Sequence, residues 1–140
     1  MNLSRRKFVA TASAGVLIGA ATASPVYASI IDQHIEEFTG GADVLSGGID
    51  LDAPEIAENG NTVPVNVTAE GAMSIMLLAS ANPVPSVATF NFGPLSGARS
   101  GSTRIRLIKT QDVLAIAKME DVTFKSTKAT VKVTIGGCGG

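Results

Sequence analysis

Hydrophobic and polar positions alternate with a period of two through most of the chain beyond residue 60, the pattern of half-buried strands. Over 62–69, Val63, Val65 and Val67 share one face and Pro64, Asn66 and Thr68 the other. Pro64 has no N–H to give a ladder, so this strand is expected at an edge or a bulge. Over 102–110, Ile105 and Leu107 oppose Arg104 and Arg106. Over 129–135, Val131, Val133 and Ile135 oppose Lys132 and Thr134. Ala88, Phe90 and Phe92 share a face ahead of Gly93-Pro94. Residues 74–80 are apolar almost throughout, as in a strand buried on both sides, and 111–119, 123–128 and a short piece at 48–51 complete the set. Asp52-Ala53-Pro54-Glu55, Glu58-Asn59-Gly60-Asn61 and Asn82-Pro83-Val84-Pro85 supply the turns. Seven or so short strands at near-regular spacing, with no helix between them, predict an all-β antiparallel sandwich or barrel.

A different period precedes them. Ile31, Ile35 and Phe38 recur at i, i+4 and i+7 among Asp32, Glu36 and Glu37, which predicts a short amphipathic helix. Asp32 is expected in its first turn, where a carboxylate suits the helix dipole, and Gly40-Gly41 at its end. The apolar face must lie on the chain's own sheet or on a partner. His34 reads as a surface or packing histidine. Before the helix, Ser4-Arg5-Arg6-Lys7-Phe8 leads into an apolar run to about Ala23, and Val26-Tyr27-Ala28 offers small residues for signal peptidase. Together they read as a secretory signal over residues 1–28, and the arginine pair points to the twin-arginine (Tat) route and the periplasm. The expected organisation is a signal at 1–28, one sandwich domain with its helix at 29–135, and an arm at 136–140.

Composition supports that reading. Apolar residues make up 45% and charged residues 16% of the 140, which permits a packed core. With no Trp, five Phe and one Tyr, that core must be mainly aliphatic. Three of the eleven bases and none of the twelve acids fall within 1–28, so the mature chain is acidic, with eight bases and twelve acids. Nucleic acid is therefore not an expected partner, and no further segment reads as a membrane span. The charge is uneven: residues 29–70 hold nine acids and no base, and 71–140 hold three acids and eight bases. A basic surface near the chain's end favours an anionic cargo; ordinary solvated strand faces are the alternative.

The candidate chemistry sits in Gly136-Gly137-Cys138-Gly139-Gly140. Cys138 is the only cysteine, so in an oxidising compartment it pairs between molecules, is modified, or stays a reactive thiol. With a single His in the chain it cannot build a four-ligand zinc site, and no metal is expected. Glycines on both sides leave the sulfur unshielded and the backbone free to turn. A catalytic cysteine needs a nearby base or a depressed pKa held in fixed geometry, and nothing adjacent in sequence supplies one. There is no P-loop, G-x-G-x-x-G, C-x-x-C, G-x-S-x-G or H-E-x-x-H motif. What remains is a handle: Cys138 as the attachment point, Gly136, Gly137, Gly139 and Gly140 as its arm. A structural or adhesive sandwich with an intermolecular disulfide is the alternative, and a thiol peroxidase or oxidoreductase a third.

Three stretches carry a family resemblance. Val131-Lys132-Val133-Thr134-Ile135-Gly136-Gly137-Cys138-Gly139-Gly140 resembles the end of SoxY, the sulfur-carrier subunit of the periplasmic Sox thiosulfate-oxidising system. Asp52-Ala53-Pro54-Glu55-Ile56-Ala57-Glu58-Asn59-Gly60-Asn61-Thr62-Val63-Pro64-Val65 is similar to a signature stretch of that family, as are Asn82-Pro83-Val84-Pro85 and Ser102-Thr103-Arg104-Ile105-Arg106-Leu107. The loop Gly71-Ala72-Met73 is shorter than is usual in it. The resemblance implies an immunoglobulin-like sandwich without enzymatic activity or cofactor, and a SoxZ-like partner subunit. It implies that a c-type cytochrome complex joins thiosulfate to Cys138, a hydrolase releases sulfate, and a sulfur dehydrogenase, where present, oxidises the sulfane left behind.

Overall fold

Burial strictly alternates along Val63–Thr68, with the three valines buried and Pro64, Asn66 and Thr68 exposed, as the pattern requires of a strand with one face on a core. A computed structural model describes residues 25–134, with side chains from Ser29. Its elements are helix α1 (Pro25–Thr39) and strands β1 (Val44–Ser46), β2 (Asp50–Asp52), β3 (Ile56–Ala57), β4 (Val63–Thr68), β5 (Ala72–Ala79), β6 (Ser86–Asn91), β7 (Ser100–Ile105), β8 (Gln111–Met119) and β9 (Phe124–Val133). One sheet runs β1-β9-β8-β5-β6 with β3 also on β9; the other runs β2-β4-β7. Their inner faces meet in one core, where Val63, Val65, Val67 and Ile105 of the small sheet pack with Ile75, Leu77, Val113, Ala115 and Val131 of the large one. This is the expected all-β sandwich with an N-terminal helix.

Strand β5 is buried on both faces, which explains its unbroken apolar run. Ile75, Leu77 and Ala79 face the sandwich core. Met76 and Leu78 face outward with Ile116, and there they meet Ile31 of α1, flanked by Ile35 and Phe38. Phe38 closes the contact edge-on to Phe124, with ring centroids 6.0 Å apart. The apolar face of α1 therefore lies on the chain's own sheet. The helix ends where the glycines predict: Gly40 takes φ +66°, a conformation that costs glycine little, and its N–H donates to the Glu36 carbonyl at 2.7 Å.

Several expectations need correction. Helix α1 starts at Pro25, earlier than the 31–38 periodicity shows, so its first turn holds no acid and Asp32 sits mid-helix. The short strand expected at 48–51 is Asp50–Asp52, and the strand expected through residue 110 ends at Ile105. The separate strands expected at 123–128 and 129–135 are one ten-residue strand, β9; residue 135 lies outside the described residues. The sandwich is not wholly antiparallel, because β1 and β3 both pair with β9 in parallel. β4 is central rather than an edge, yet β2 covers only Asn66 to Thr68, so Pro64 has β7 on one side alone and its missing N–H breaks no ladder.

The open sides of the sandwich meet at Gly101 of β7. A Cβ built there would stand 2.5 Å from the ring of Phe90 on β6, so only a glycine lets the two edges close. Gly101→Val is expected to lower unfolding stability by about 1–3 kcal/mol, the usual cost of overpacking, read as a lower urea midpoint at unchanged m-value. An unchanged midpoint would mean that Phe90 swings away without loss.

Candidate functional site

Residues 135–140, and with them Gly136, Gly137, Cys138, Gly139 and Gly140, lie outside the described residues; the structure describes the root from which they leave. That root is held on both sides. On one, β8 accompanies β9 as far as Gln111 opposite Val131. Beyond it the hydroxyl of Thr110 takes over, accepting the Val133 N–H at 2.9 Å and donating to the Val133 carbonyl at 3.4 Å. On the other, β3 pairs Ile56 with Lys132 and Ala57 with Val133. The Lys132 N–H donates to the Glu55 carbonyl at 2.9 Å and the Thr134 N–H to the Ala57 carbonyl at 3.1 Å. Each such bond contributes on the order of 1 kcal/mol, so the end of β9 is fixed to the last described residue.

The loop that carries Thr110 is itself clamped by two buried amides. Asn82 Nδ2 donates to the Arg106 carbonyl at 2.6 Å, and Asn82 Oδ1 accepts from the Ile108 N–H and from Gln111 Nε2. Gln111 Oε1 accepts the Ala81 N–H at 2.8 Å, and its Nε2 also donates to the Lys109 carbonyl. The Leu107 N–H donates to the Gly60 carbonyl at 2.8 Å. The loops around residues 58–62, 80–85 and 106–110 are thus tied together at the end where β9 leaves. All three stretches of the family resemblance converge there. The sequence marked Asn82 only as part of a strand break and Gln111 only as a strand start; neither amide, nor Thr110, was singled out.

Electrostatics differ between the two ends. Away from the arm, Arg99 pairs with Glu120 at 3.0 Å and lies over the Phe92 ring. There too the Thr123 hydroxyl and N–H hold the Asp121 carboxyl below its ordinary value. Lys128 stands 4.0 Å from Asp112. At the arm end, Arg104, Arg106, Lys109 and Lys132 are all exposed. Among the described residues no carboxylate pairs with Arg104, Lys109 or Lys132. Arg104 Nη1 reaches Thr62 Oγ1 at 3.5 Å. His34 is partly exposed on α1. Among the described residues no three His, Cys, Asp or Glu side chains gather as a metal site, and no helix is long and apolar enough to cross a membrane.

Thr110→Val keeps the shape and removes both bonds to Val133. The Val133 and Thr134 amides are expected to exchange with solvent roughly tenfold faster, the equivalent of about 1 kcal/mol, while β8 amides in mid-sheet keep their protection. Equal exchange in both proteins would show that β3 alone holds the root.

Comparison with known proteins agrees with this geometry. The family model for the sulfur oxidation protein SoxY matches residues 35–138, from α1 through the clamped root to Cys138. Among solved structures, the sulfur carrier protein SoxY from Chlorobium limicola f thiosulfatophilum is 34% identical over 77% of this chain and 99% of that one, with a TM-score of 0.68. A superoxide reductase (neelaredoxin) from Ignicoccus hospitalis covers 64% of this chain and 94% of its own at a TM-score of 0.57, but at 14% identity it shares the fold alone. A search of curated proteins found no match. A family match spanning both sheets and the root, joined to a solved sulfur carrier at this identity, places the chain in the SoxY family of sulfur oxidation proteins.

Proposed function

We propose that this protein is a periplasmic carrier, exported by the Tat route, that holds thiosulfate-derived sulfur covalently on Cys138 and presents it to partner enzymes. The observation that carries the reading is the root: a SoxY-family strand pinned at Val133 and Thr134 runs directly into Gly136-Gly137-Cys138-Gly139-Gly140. A rigid base and a terminal thiol flanked by residues without side chains suit delivery into a narrow active site, because only backbone follows the sulfur. No general base belongs to that segment, so activation of the thiol falls to the enzyme that receives it.

The chemistry balances with partners supplying the electrons' destination and the water. Cys138 thiol and thiosulfate lose two electrons and one proton to form an S–S bond, and a c-type cytochrome complex takes the electrons. Hydrolysis of the terminal S–SO3 bond consumes one water, releases sulfate and two protons, and leaves a persulfide on Cys138. Where a sulfur dehydrogenase is present, it oxidises that sulfane. The carrier performs none of these steps and needs no cofactor. A SoxZ-like subunit completes the working heterodimer.

Intact-mass measurement after incubation with thiosulfate and the partner proteins is expected to show a thiosulfonate adduct on the native chain and none on Cys138→Ser. Uptake of the same mass by Cys138→Ser would remove this residue's role. A constitutive disulfide dimer, collapsing on reduction and forming no other adduct, would favour a structural function instead.

A further inference from the structure

A groove of about 460 Å³ opens beside the root, between β3 and the start of β4. Pro54, Ile56 and Pro64 give it an apolar floor, Asn59 and Thr62 a polar end, and Ala57 its mouth. Ile56 is 57% exposed there, a large apolar side chain that no described residue covers. Ala57 is also the residue whose carbonyl takes the last described bond of β9, from the Thr134 N–H. The chain beyond Thr134 is therefore delivered at the mouth of this groove. Cys138 follows four residues later, within roughly 14 Å at ~3.3–3.6 Å per residue. At the polar end Arg104 rests against Thr62, and no carboxylate among the described residues neutralises it.

We propose that this groove receives the chain's own segment 136–140 when Cys138 carries an anionic sulfur group, with the Arg104 guanidinium as the counter-charge of that group. The inference rests on the carrier reading above and adds a parking site to it. Three observations choose this occupant. The arm starts at the groove's mouth and is long enough to lie along it. Its glycines allow the backbone to settle against Pro54, Ile56 and Pro64 without a side chain in the way. The charge matches only in the loaded state: Glu58 also lines the groove, so an uncharged thiol gains little there, while a sulfonate gains Arg104 at the far end from the mouth. Docking then separates the loaded carrier from the free one, and shields the S–S bond from stray thiols until a partner draws the arm out.

The test uses the full mature chain, isotope-labelled, and loads Cys138 with tetrathionate. The thiolate attacks an inner sulfur of tetrathionate; one S–S bond forms, the central S–S bond of the reagent breaks, and thiosulfate leaves with the electron pair. No further oxidant is needed. Loading is expected to shift the backbone amide signals of Ile56, Asn59 and Thr62, and those shifts should collapse in ~1 M salt, where charges are screened within about 3 Å. In Arg104→Gln the ratio of docked to free arm should fall roughly three- to fivefold, the range of an exposed ion pair, while Arg104→Lys retains part of it. If Cys138 loads and these amides do not move, or move equally in Arg104→Gln, the parking site is wrong and the carrier reading stands. The same holds if they move only when the partner subunit is added, which would assign the groove to the partner. If tetrathionate leaves no adduct on Cys138, the carrier reading falls and this inference with it.

Discussion

Strand β9 is gripped along both edges, and most of the molecule's logic follows from that. β8 pairs with it over eight positions on one side. On the other, β1 takes Phe124 to Ser126 and β3 takes Lys132 and Val133, both in parallel. Between those two contacts the chain leaves for the small sheet, where β2 pairs with β4, and then returns. One short stretch thus sews the two sheets together and ends by fastening the strand from which the thiol-bearing segment departs. Chain ends ordinarily fray unless tied down. Here the tie consists of Ala57 on one flank and Thr110 on the other, so freedom begins abruptly after Thr134. A carrier gains from such a boundary, because the volume its sulfur sweeps is set by the length of the free segment and not by how far the domain unravels.

What the sequence disclosed about this arrangement depended on period and length. The alternation in β4 and the limits of β8 were legible because a face of valine or alanine recurs every second residue against a core. β5 was legible as a strand, but the reason for its continuous apolar run lay elsewhere: Met76 and Leu78 face α1, a contact between segments far apart in the chain. β1 and β3, three and two residues long, carry no period at all, and Leu45 and Ile56 are exposed rather than inward. β9 was divided in two because Ser126 to Ala129 show neither clean alternation nor apolar weight; neighbouring strands, not side chains, hold that part straight. The thiol itself was the plainest signal in the sequence. Its supports were the least visible, since Thr110, Asn82 and Gln111 act through backbone groups of distant loops.

Charge follows the same division. In sequence the second half of the chain is simply basic. In space its cations separate into those already satisfied and those left available. Arg99 and Glu120 close on one another at the end remote from the arm, beside a turn in which Val122 adopts φ +65° and Asp121 is capped by Thr123. Valine is poorly suited to that conformation, so local bonding dictates the turn. The arm end has its buried polar groups paired with one another, which leaves its surface cations facing solvent. A single exposed guanidinium attracts an anion by up to ~1 kcal/mol in water. That is too little to trap a cargo and enough to bias where it rests. For a protein whose cargo must leave with every cycle, the weak contact is the useful one. A deeply buried ion pair in place of Arg104 would need several kcal/mol from the receiving enzyme before chemistry could begin.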